Sequence, residues 1–435
     1  MMMNDFELPD SWTRQDLEDV AEIHDNLREP VNSSERAKRF GPYPYYGATG
    51  QVGWIDGYRQ DGEYVLLGED GAPFFDWTKE KSYLVSGKCW VNNHAHVLKG
   101  KEHVCSNRYL LYALNQTDYR GHANGTTRLK LTQSAMRRIP INLAPLKEQD
   151  RIVAKIEELF SELDKGVESL RTAQQQLKVY RRALMNDVLK AKSHGDSLTV
   201  PLSDLIGRIN QGWSPKCELN RQASDEEWAI IKTTAVQPMQ YSLEECKPLP
   251  KNFDPRPDIE IKAGDFLMTR KGPRNRTGVV CLVEATRSKS MLCDTVYRFR
   301  CDETKIYPKY LELVLNSPTV VAELDRRKSG ISDSGISLNH SKLKSLPILV
   351  IGSITTQKDV VAEVEKKLER ISVMETEISH SLLKIEALRQ SILKKAFSGQ
   401  LVPQDPNDEP ASVLLERIRA ERAAQPKKHG RKAKA

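Results

Sequence analysis

The sequence predicts an α+β chain in which two mixed α/β domains are separated by two long antiparallel coiled-coil helices, with internal pseudo-two-fold symmetry. Three observations predict it. The 435 residues exceed what one hydrophobic core usually serves, since domains run ~100–200 residues. An apolar residue recurs every seventh position in two stretches, Gln149 to Leu189 and Gln357 to Phe397, at a fixed offset of 208. Ahead of each stretch lie short apolar runs broken by Gly, Pro, Asn and Asp, the pattern of strands and turns rather than of a helical bundle.

The helices fix the parse. In the first copy the repeat falls on Ile156, Leu163, Leu170, Leu177 and Leu184, and in the second on Val364, Ile371, Ile378, Ile385 and Ile392. Neither stretch contains a proline, and a seven-residue apolar repeat keeps one seam against a partner helix. A second row runs through Phe160, Val167, Ala173, Tyr180 and Val188, answered by Leu368, Met374, Leu382, Leu388 and Ala396. At 1.5 Å per residue each helix is ~60 Å long, more than one domain needs to cover its core. The other copy is the expected partner, because two matching seams in one chain meet at high effective concentration. Packing on separate domains, or against a second chain, is the alternative.

The segments leading into the helices also correspond, at an offset of 207. Leu129 to Ile141 aligns with Ile336 to Ile348, with Thr132 and Asn339 placed to cap a short helix and an apolar-Pro-apolar strand after it. At the head of each globular segment Leu17-Glu18-Asp19-Val20 is echoed by Leu202-Ser203-Asp204-Leu205. Gly62 to Gly71 and Gly264 to Gly272 both read as a turn, a buried strand and polar residues at the strand's end, and Cys89-Trp90-Val91 and Val279 to Val283 as further strands. The expected divisions are residues 1–145, a helix over 146–194, residues 195–352, a helix over 353–400, and a C-terminal segment over 401–435.

Charge permits a polyanionic partner without demonstrating one: 66 Lys and Arg against 59 Asp and Glu leave +7. Gln425 to Ala435 carries Lys427, Lys428, Arg431, Lys432 and Lys434 with no acid and reads as a flexible basic end. No run approaches the ~18 apolar residues that span a bilayer. The start, Met1-Met2-Met3-Asn4-Asp5-Phe6-Glu7, has neither the basic nor the apolar part of a secretory signal, so a cytoplasmic location is expected. Seven cysteines without C-x-x-C spacing suggest neither a disulfide framework nor a zinc ribbon.

Catalytic motifs are hard to find. No G-x-x-x-x-G-K-[ST] phosphate loop occurs, and Gly41-Pro42-Tyr43-Pro44-Tyr45-Tyr46-Gly47 lacks the adjacent prolines and leading Asn or Asp of a base-methylating site. A nuclease reading rests on Asp258 and Glu260, two residues apart on an expected exposed strand. Cys89, His94, His96, His103 and Cys105 form the densest set of soft ligands, with His94 and His96 expected on one strand face. Their spacing fits no common structural zinc site, so polar edge residues near a ligand are the preferred reading.

Nucleic acid suits the remaining candidates better. Arg270, Lys271, Arg274, Asn275 and Arg276 crowd a turn after a strand; arginine forks hold phosphates or guanine O6 and N7, and Asn275 suits an adenine edge. In the first globule the comparable residues are Lys38, Arg39, Tyr45, Tyr46, Asn92, Asn93, His94 and Arg128. A solvated charged surface is the alternative for each. The glycine-containing loops His122 to Thr127 and Ser329 to Gly335 are further candidates, because free amides at a helix start bind phosphate.

The motif set Tyr45-Tyr46-Gly47-Ala48-Thr49-Gly50, Asp61-Gly62-Glu63-Tyr64, Glu69-Asp70-Gly71, Trp90 to Leu98, Ile139-Pro140-Ile141 to Glu148-Gln149, and Lys395 to Val402 resembles the specificity subunit of a Type I restriction-modification system over nearly the whole chain. The resemblance implies two target-recognition domains, each reading one half of a split, asymmetric site in double-stranded DNA. It implies a non-catalytic chain with no cofactor of its own, whose helices recruit two modification subunits that bind S-adenosylmethionine and methylate adenine. A translocating restriction subunit, with ATP and Mg, would join them. The second copy departs from the pattern where Pro145 to Gln149 becomes Gly352 to Gln357, one residue longer, which leaves the join of the second helix open. A coiled-coil scaffold with protein-binding globules, and a metal-dependent nuclease, stay as alternatives.

Overall fold

The computed structural model describes residues 7–191, 197–217, 223–330 and 335–424. Two uninterrupted helices, Leu146–Ala191 and Ile354–Ala396, stand where the seven-residue repeat predicts them. The chain divides into two compact units, one formed by the residues up to Leu170 with those from Ser379 on, the other by Arg171–Ile378. Each long helix therefore contributes to both units.

In the first unit a six-stranded sheet takes the order Ala21–Ile23, Ala95–Gly100, Gln60–Gly68, Ser82–Val91, Tyr43–Gly47, Gly50–Ile55. The period-two alternation of Gln60–Gly68 sends Val65 and Leu67 into one core, shared with Leu17, Tyr109, Ile156 and Phe397, and Leu66 into a second, smaller one. The C-terminal segment belongs to the same core. Its helix, Ala411–Ala424, has no counterpart in the sequence reading, yet Ala411, Leu414, Leu415 and Ile418 carry the i, i+3, i+4, i+7 spacing of a buried face. Ala411 donates its amide to Ser11 O at 2.9 Å, and Arg151 pairs with the buried Asp408 at 2.6 Å.

The second unit is more divided. A four-stranded sheet runs Asn210–Gln211, Val296–Phe299, Phe266–Thr269, Val280–Leu282, and a three-stranded one Cys246–Pro248, Ala229–Ile231, Ser290–Met291. Phe266, Phe299, Tyr310, Leu343 and Val364 share its main core.

Both units use one frame. Thr13–Asp16 pairs antiparallel with Pro140–Leu143, as Ser197–Pro201 does with Pro347–Ile351. Leu17 donates to Ile139 O at 2.9 Å, and Leu202 to Leu346 O at 2.8 Å. Thr132 and Asn339 each accept from the amide three residues on, the expected caps. Tyr109 Oη donates to Asn142 O, and Tyr310 Oη to Leu349 O.

The open question of the second join resolves on one side chain. Buried Gln149 donates from Nε2 to Ala144 O at 3.0 Å and accepts the Ser106 amide at Oε1; buried Gln357 donates to Ile351 O at 3.3 Å and accepts the Tyr307 amide at 2.8 Å. Each glutamine is the fourth residue of its helix. The additional residue is absorbed just before the helix at Gly352, whose φ of +42° suits glycine, so the join is kept.

Within the first unit Asp164 pairs with Arg389, whose guanidinium lies 4.8 Å from the Phe160 ring centroid, while Ile156 shares a core with Leu393. Within the second, Arg181 bonds Glu375 at 3.0 Å and Leu184 shares a core with Val364 and Ile371. In both, rising numbers meet falling ones, so the helix segments pair antiparallel. All ten seam positions are buried or half-buried. The second row is a correction: Tyr180, Met374 and Leu388 are about half exposed. A helix of 3.6 residues per turn drifts from a 3.5-residue repeat, which turns that row toward solvent.

One buried carboxyl gives the second unit a pH signature. Glu312, on the helix Pro308–Leu315, accepts the Leu282 amide at 2.7 Å, and one turn earlier Lys309 pairs with Glu284 and Glu365. Burial, reinforced by Glu284 and Glu365 and opposed by the Leu282 amide and Lys309, pushes the Glu312 carboxyl up to about 7 from an ordinary 4.5. Between those values the native state keeps a proton the unfolded chain has released, so stability falls as pH rises through that window. Glu312→Gln is expected to flatten this slope and add ~2–3 kcal/mol at pH 8, read from urea unfolding at pH 5 and pH 8; an unchanged slope contradicts the assignment.

Candidate nucleic-acid interface

In the first unit the strand Gln60–Gly68 runs out into Glu69-Asp70-Gly71. Leu131 donates to Glu69 O at 2.7 Å, Glu69 to His94 O at 2.8 Å, and Gly71 to Leu129 O at 2.9 Å. These bonds bring three segments to one strand end. Asp70 takes Arg128 Nε at 2.5 Å and faces His94 Nδ1 at 3.4 Å, while Glu69 takes Arg28 at 2.5 Å and Lys130 at 3.4 Å. Arg128 and Lys130 are exposed and Arg28 is largely buried, so the outer face is cationic and its carboxylates lie underneath.

Of the residues expected from sequence, His94 and Arg128 meet here. Asn93 is exposed on the same turn, but Asn92 is buried, its Oδ1 accepting the His94 amide at 2.8 Å. Tyr45 is a correction: it is 1% exposed, its hydroxyl accepts the Val31 amide at 3.0 Å, and its ring fills a small core with Ile55 and Trp90. Tyr46 is half-buried against Tyr83, with ring centroids 5.9 Å apart. Lys38 is exposed; Arg39 is forked onto Asp56 and lies 4.9 Å from the Trp90 ring centroid, apart from the Asp70 group. Glu69 and Asp70 were read only as polar residues at a strand end and as part of a motif, and Lys130 was missed, although the alternation Leu129-Lys130-Leu131 marks it as outward on an extended segment.

The soft-ligand set does not converge. The strand begins at Ala95, leaving His94 in the turn, while His96 is fully buried between Asp25 at 2.7 Å and Leu131 O at 2.9 Å. Burial opposes ionisation of Asp25, yet hydrogen bonds from His96, Val97 and Gln133 hold its carboxyl below the ordinary value. Cys89 and Cys105 lie in different cores, where burial pushes their thiols up to about 11 and about 12. Among the described residues no group of three His, Cys, Asp or Glu could hold a metal. Asp258 and Glu260 are likewise corrected: Pro257–Ile259 is a 3-10 turn opened by proline, and Glu260 Oε1 accepts the Lys289 amide at 2.8 Å.

In the second unit Phe266–Thr269 runs out into Arg270-Lys271-Gly272, with Lys271 paired to Ser337 and Gly272 to Ile336. Arg270 donates to Asp294 O at 2.6 Å and lies 5.5 Å from the Tyr297 ring centroid; His340 meets the same ring at 4.5 Å. Burial first, then Lys344 and Arg270, lowers the His340 imidazole below its ordinary value. Lys271 and Asn275 are exposed, and Arg274 reaches Asp325 at 2.8 Å. Arg276 is a correction: it turns inward, donating to Thr233 O, Val236 O and Gln237 Oε1, and so fastens a neighbouring hairpin rather than facing a ligand. Lys342, donating to Ser329 Oγ at 2.6 Å, joins this edge. The loop Ser329 to Gly335 lies partly, and the basic tail from Gln425 wholly, outside the described residues.

Both arrangements place donors at a strand end beside a short capped helix, which suits phosphates and base edges. No helix among the described residues is long and apolar enough to cross a membrane. The profile of the family described as Type I restriction modification DNA specificity domain matches residues 9–170. The Type I restriction enzyme EcoEI specificity subunit of Escherichia coli is 38% identical over 38% of this chain and 27% of its own length, so the chain matches about a quarter of that relative. The EcoBI specificity subunit of Escherichia coli is 24% identical over 95% of this chain and 93% of its own. The HsdS subunit from Thermoanaerobacter tengcongensis, 16% identical, superposes over 92% of this chain and 100% of its own with a TM-score of 0.54. Residues 9–170 thus match a Type I restriction modification DNA specificity domain, and the chain has the fold of the HsdS subunit.

Proposed function

We propose that this chain is the DNA-specificity subunit of a Type I restriction-modification assembly. Each unit reads one half of a bipartite, asymmetric site in double-stranded DNA, and the length of the two long helices sets the number of base pairs between the halves. The observation that carries this is a shared frame with unlike edges: the Gln149 and Gln357 joints share two bonds, an upstream amide accepted and the carbonyl before the helix donated to, while the strand ends read Glu69-Asp70 in one unit and Arg270-Lys271 in the other. Two readers on one scaffold recognise two different sequences.

The chemistry resides on partners: two methyltransferase subunits carrying S-adenosylmethionine, and a restriction subunit using ATP and Mg, in the cytoplasm. This chain supplies positioning, its exposed cations neutralising phosphates while base-edge contacts select the site. The test is selection of duplexes from a random pool by the chain assembled with its methyltransferase subunits. Two unlike half-sites at a fixed gap are expected; no preference would instead support a scaffold whose globules bind proteins.

Arg274→Ala is expected to weaken binding by ~1–3 kcal/mol, with the loss confined to one half-site, if its fork reads a base. An equal loss on every duplex, with a shallower salt dependence, makes Arg274 a phosphate contact.

A further inference from the structure

The backbone bonds of the two units correspond residue by residue at the strand end, but the charges differ: the strand residues are acidic in one unit and basic in the other. Leu131 donates to Glu69 O as Leu338 donates to Arg270 O, and Glu69 donates to His94 O as Arg270 donates to Thr295 O. Asp70 bridges Lys130 as Lys271 pairs with Ser337. Beneath this edge His96 Nε2 contacts Leu131 O at 2.9 Å, and Tyr297 Oη donates to Leu338 O at 3.0 Å. With the frame so fixed, Lys271 stands at the place of Asp70, and Gly335 at the place of Arg128.

The first unit therefore supplies its outer cation from the returning segment and the second from the strand itself. Their chemistry differs in kind. Arg128 is held: Asp70 Oδ1 takes Nε at 2.5 Å, and the Asp70 carbonyl takes Nη2 at 3.4 Å. The guanidinium lies directly over Gly71, where an added Cβ would stand 2.9 Å from Nε and where φ is +76°. A side chain at residue 71 would push the fork away. Arg128 is nevertheless 58% exposed, so a long, flexible side chain is fixed at its inner edge and open at its outer one. Lys271 is an exposed ammonium on a strand and has no such fork.

We propose that Arg128 is a guanine-reading residue of the first unit, donating to O6 and N7 of one base in the major groove, with Asp70 as its positioning residue and Gly71 as the gap that admits it. A fixed planar fork matches that pair of acceptors, and a single ammonium does not. The second unit, with neither Asp70 nor Arg128 at this address, uses Lys271 as a phosphate contact. This rests on the DNA-specificity reading above.

The test uses the full chain assembled with its methyltransferase subunits, its selected duplex, and duplexes in which each guanine of the first half-site is replaced in turn by 7-deazaguanine, which removes N7. For the unaltered assembly one such replacement is expected to cost tenfold or more. In Arg128→Lys, affinity for the normal duplex falls by a similar factor, affinity for unrelated DNA stays within twofold, and the penalty at that guanine disappears. Asp70→Asn, close in size, moves the same penalty part of the way, which a purely structural role for Asp70 would not do. Lys271→Ala lowers affinity for all duplexes alike and makes the salt dependence shallower. Thermal unfolding of each variant close to that of the unaltered chain excludes misfolding as the cause. A penalty that persists in Arg128→Lys, or a loss spread evenly over related and unrelated DNA, overturns the assignment of Arg128 while leaving the specificity reading in place. Absence of any sequence preference in the unaltered assembly overturns both.

Discussion

Removing one heptad from each long helix where the two face one another, residues 163–169 and 383–389, is expected to destroy binding to the natural site and to shift the preferred gap between half-sites. Seven residues of helix are ~10 Å, which is about three base pairs at 3.4 Å each. The deletion preserves the seam: Leu170 then follows Ile156 at the position of Leu163, and Ile392 follows Ile378 at the position of Ile385. It also removes both members of the Asp164–Arg389 pair, so neither charge is stranded. In a series of duplexes with gaps varied by single base pairs, the best is expected to be about three shorter than the natural one. Recovery is partial, because three base pairs also turn the second half-site by roughly 100° around the duplex. A five-residue deletion, which turns the seam away from its partner, is expected to rescue on no duplex. An unchanged gap preference after the heptad deletion means that the helices do not set the spacing.

The second large effect concerns the joint that both units share. Gln149→Leu fills a similar volume but strands the Ser106 amide and the carbonyls of Ala144 and Val104, all bonded to the glutamine in a buried site. Each buried group left without a partner costs ~1–3 kcal/mol, so with three such groups a loss of at least ~3 kcal/mol is expected for the first unit. Gln357→Leu strands only the Tyr307 amide and the Ile351 carbonyl, so the second unit is expected to lose less. Amide hydrogen exchange at Ser106 and Tyr307 reports each joint by itself, with the larger acceleration at Ser106. Equal effects, or none, mean that the glutamines only fill space.

What was legible in the sequence was whatever repeats or whatever terminates an element. The seam from Ile156 to Leu184 needed only the count of seven, and Thr132 and Asn339 announced their helices because a short acceptor before an apolar run has few other uses. The match between Gln149 and Gln357 was visible as one of a few identities, yet its meaning was not: a buried amide's partners come from segments some forty to fifty residues upstream. Site residues were read less well for the same reason. Tyr45 and Arg276 have the right chemistry for nucleic acid, but direction decides their role. Tyr45 points into a core with Ile55 and Trp90, and Arg276 folds back onto three acceptors that no local spacing reveals. Arg128 was found by its charge alone, whereas Asp70, which holds it, lies 58 residues away in sequence. The helix Ala411–Ala424 was missed although its spacing was present.

Mapping methylated adenines in DNA from cells that contain this chain with its methyltransferase subunits, compared with cells in which this chain alone is deleted, decides whether two units on one frame read two different sequences at a set distance. Methylation is expected to be confined to a motif of two short, unlike parts separated by a constant number of unspecified bases, and to be lost on deletion. A continuous or palindromic motif, or methylation that persists without this chain, would contradict it.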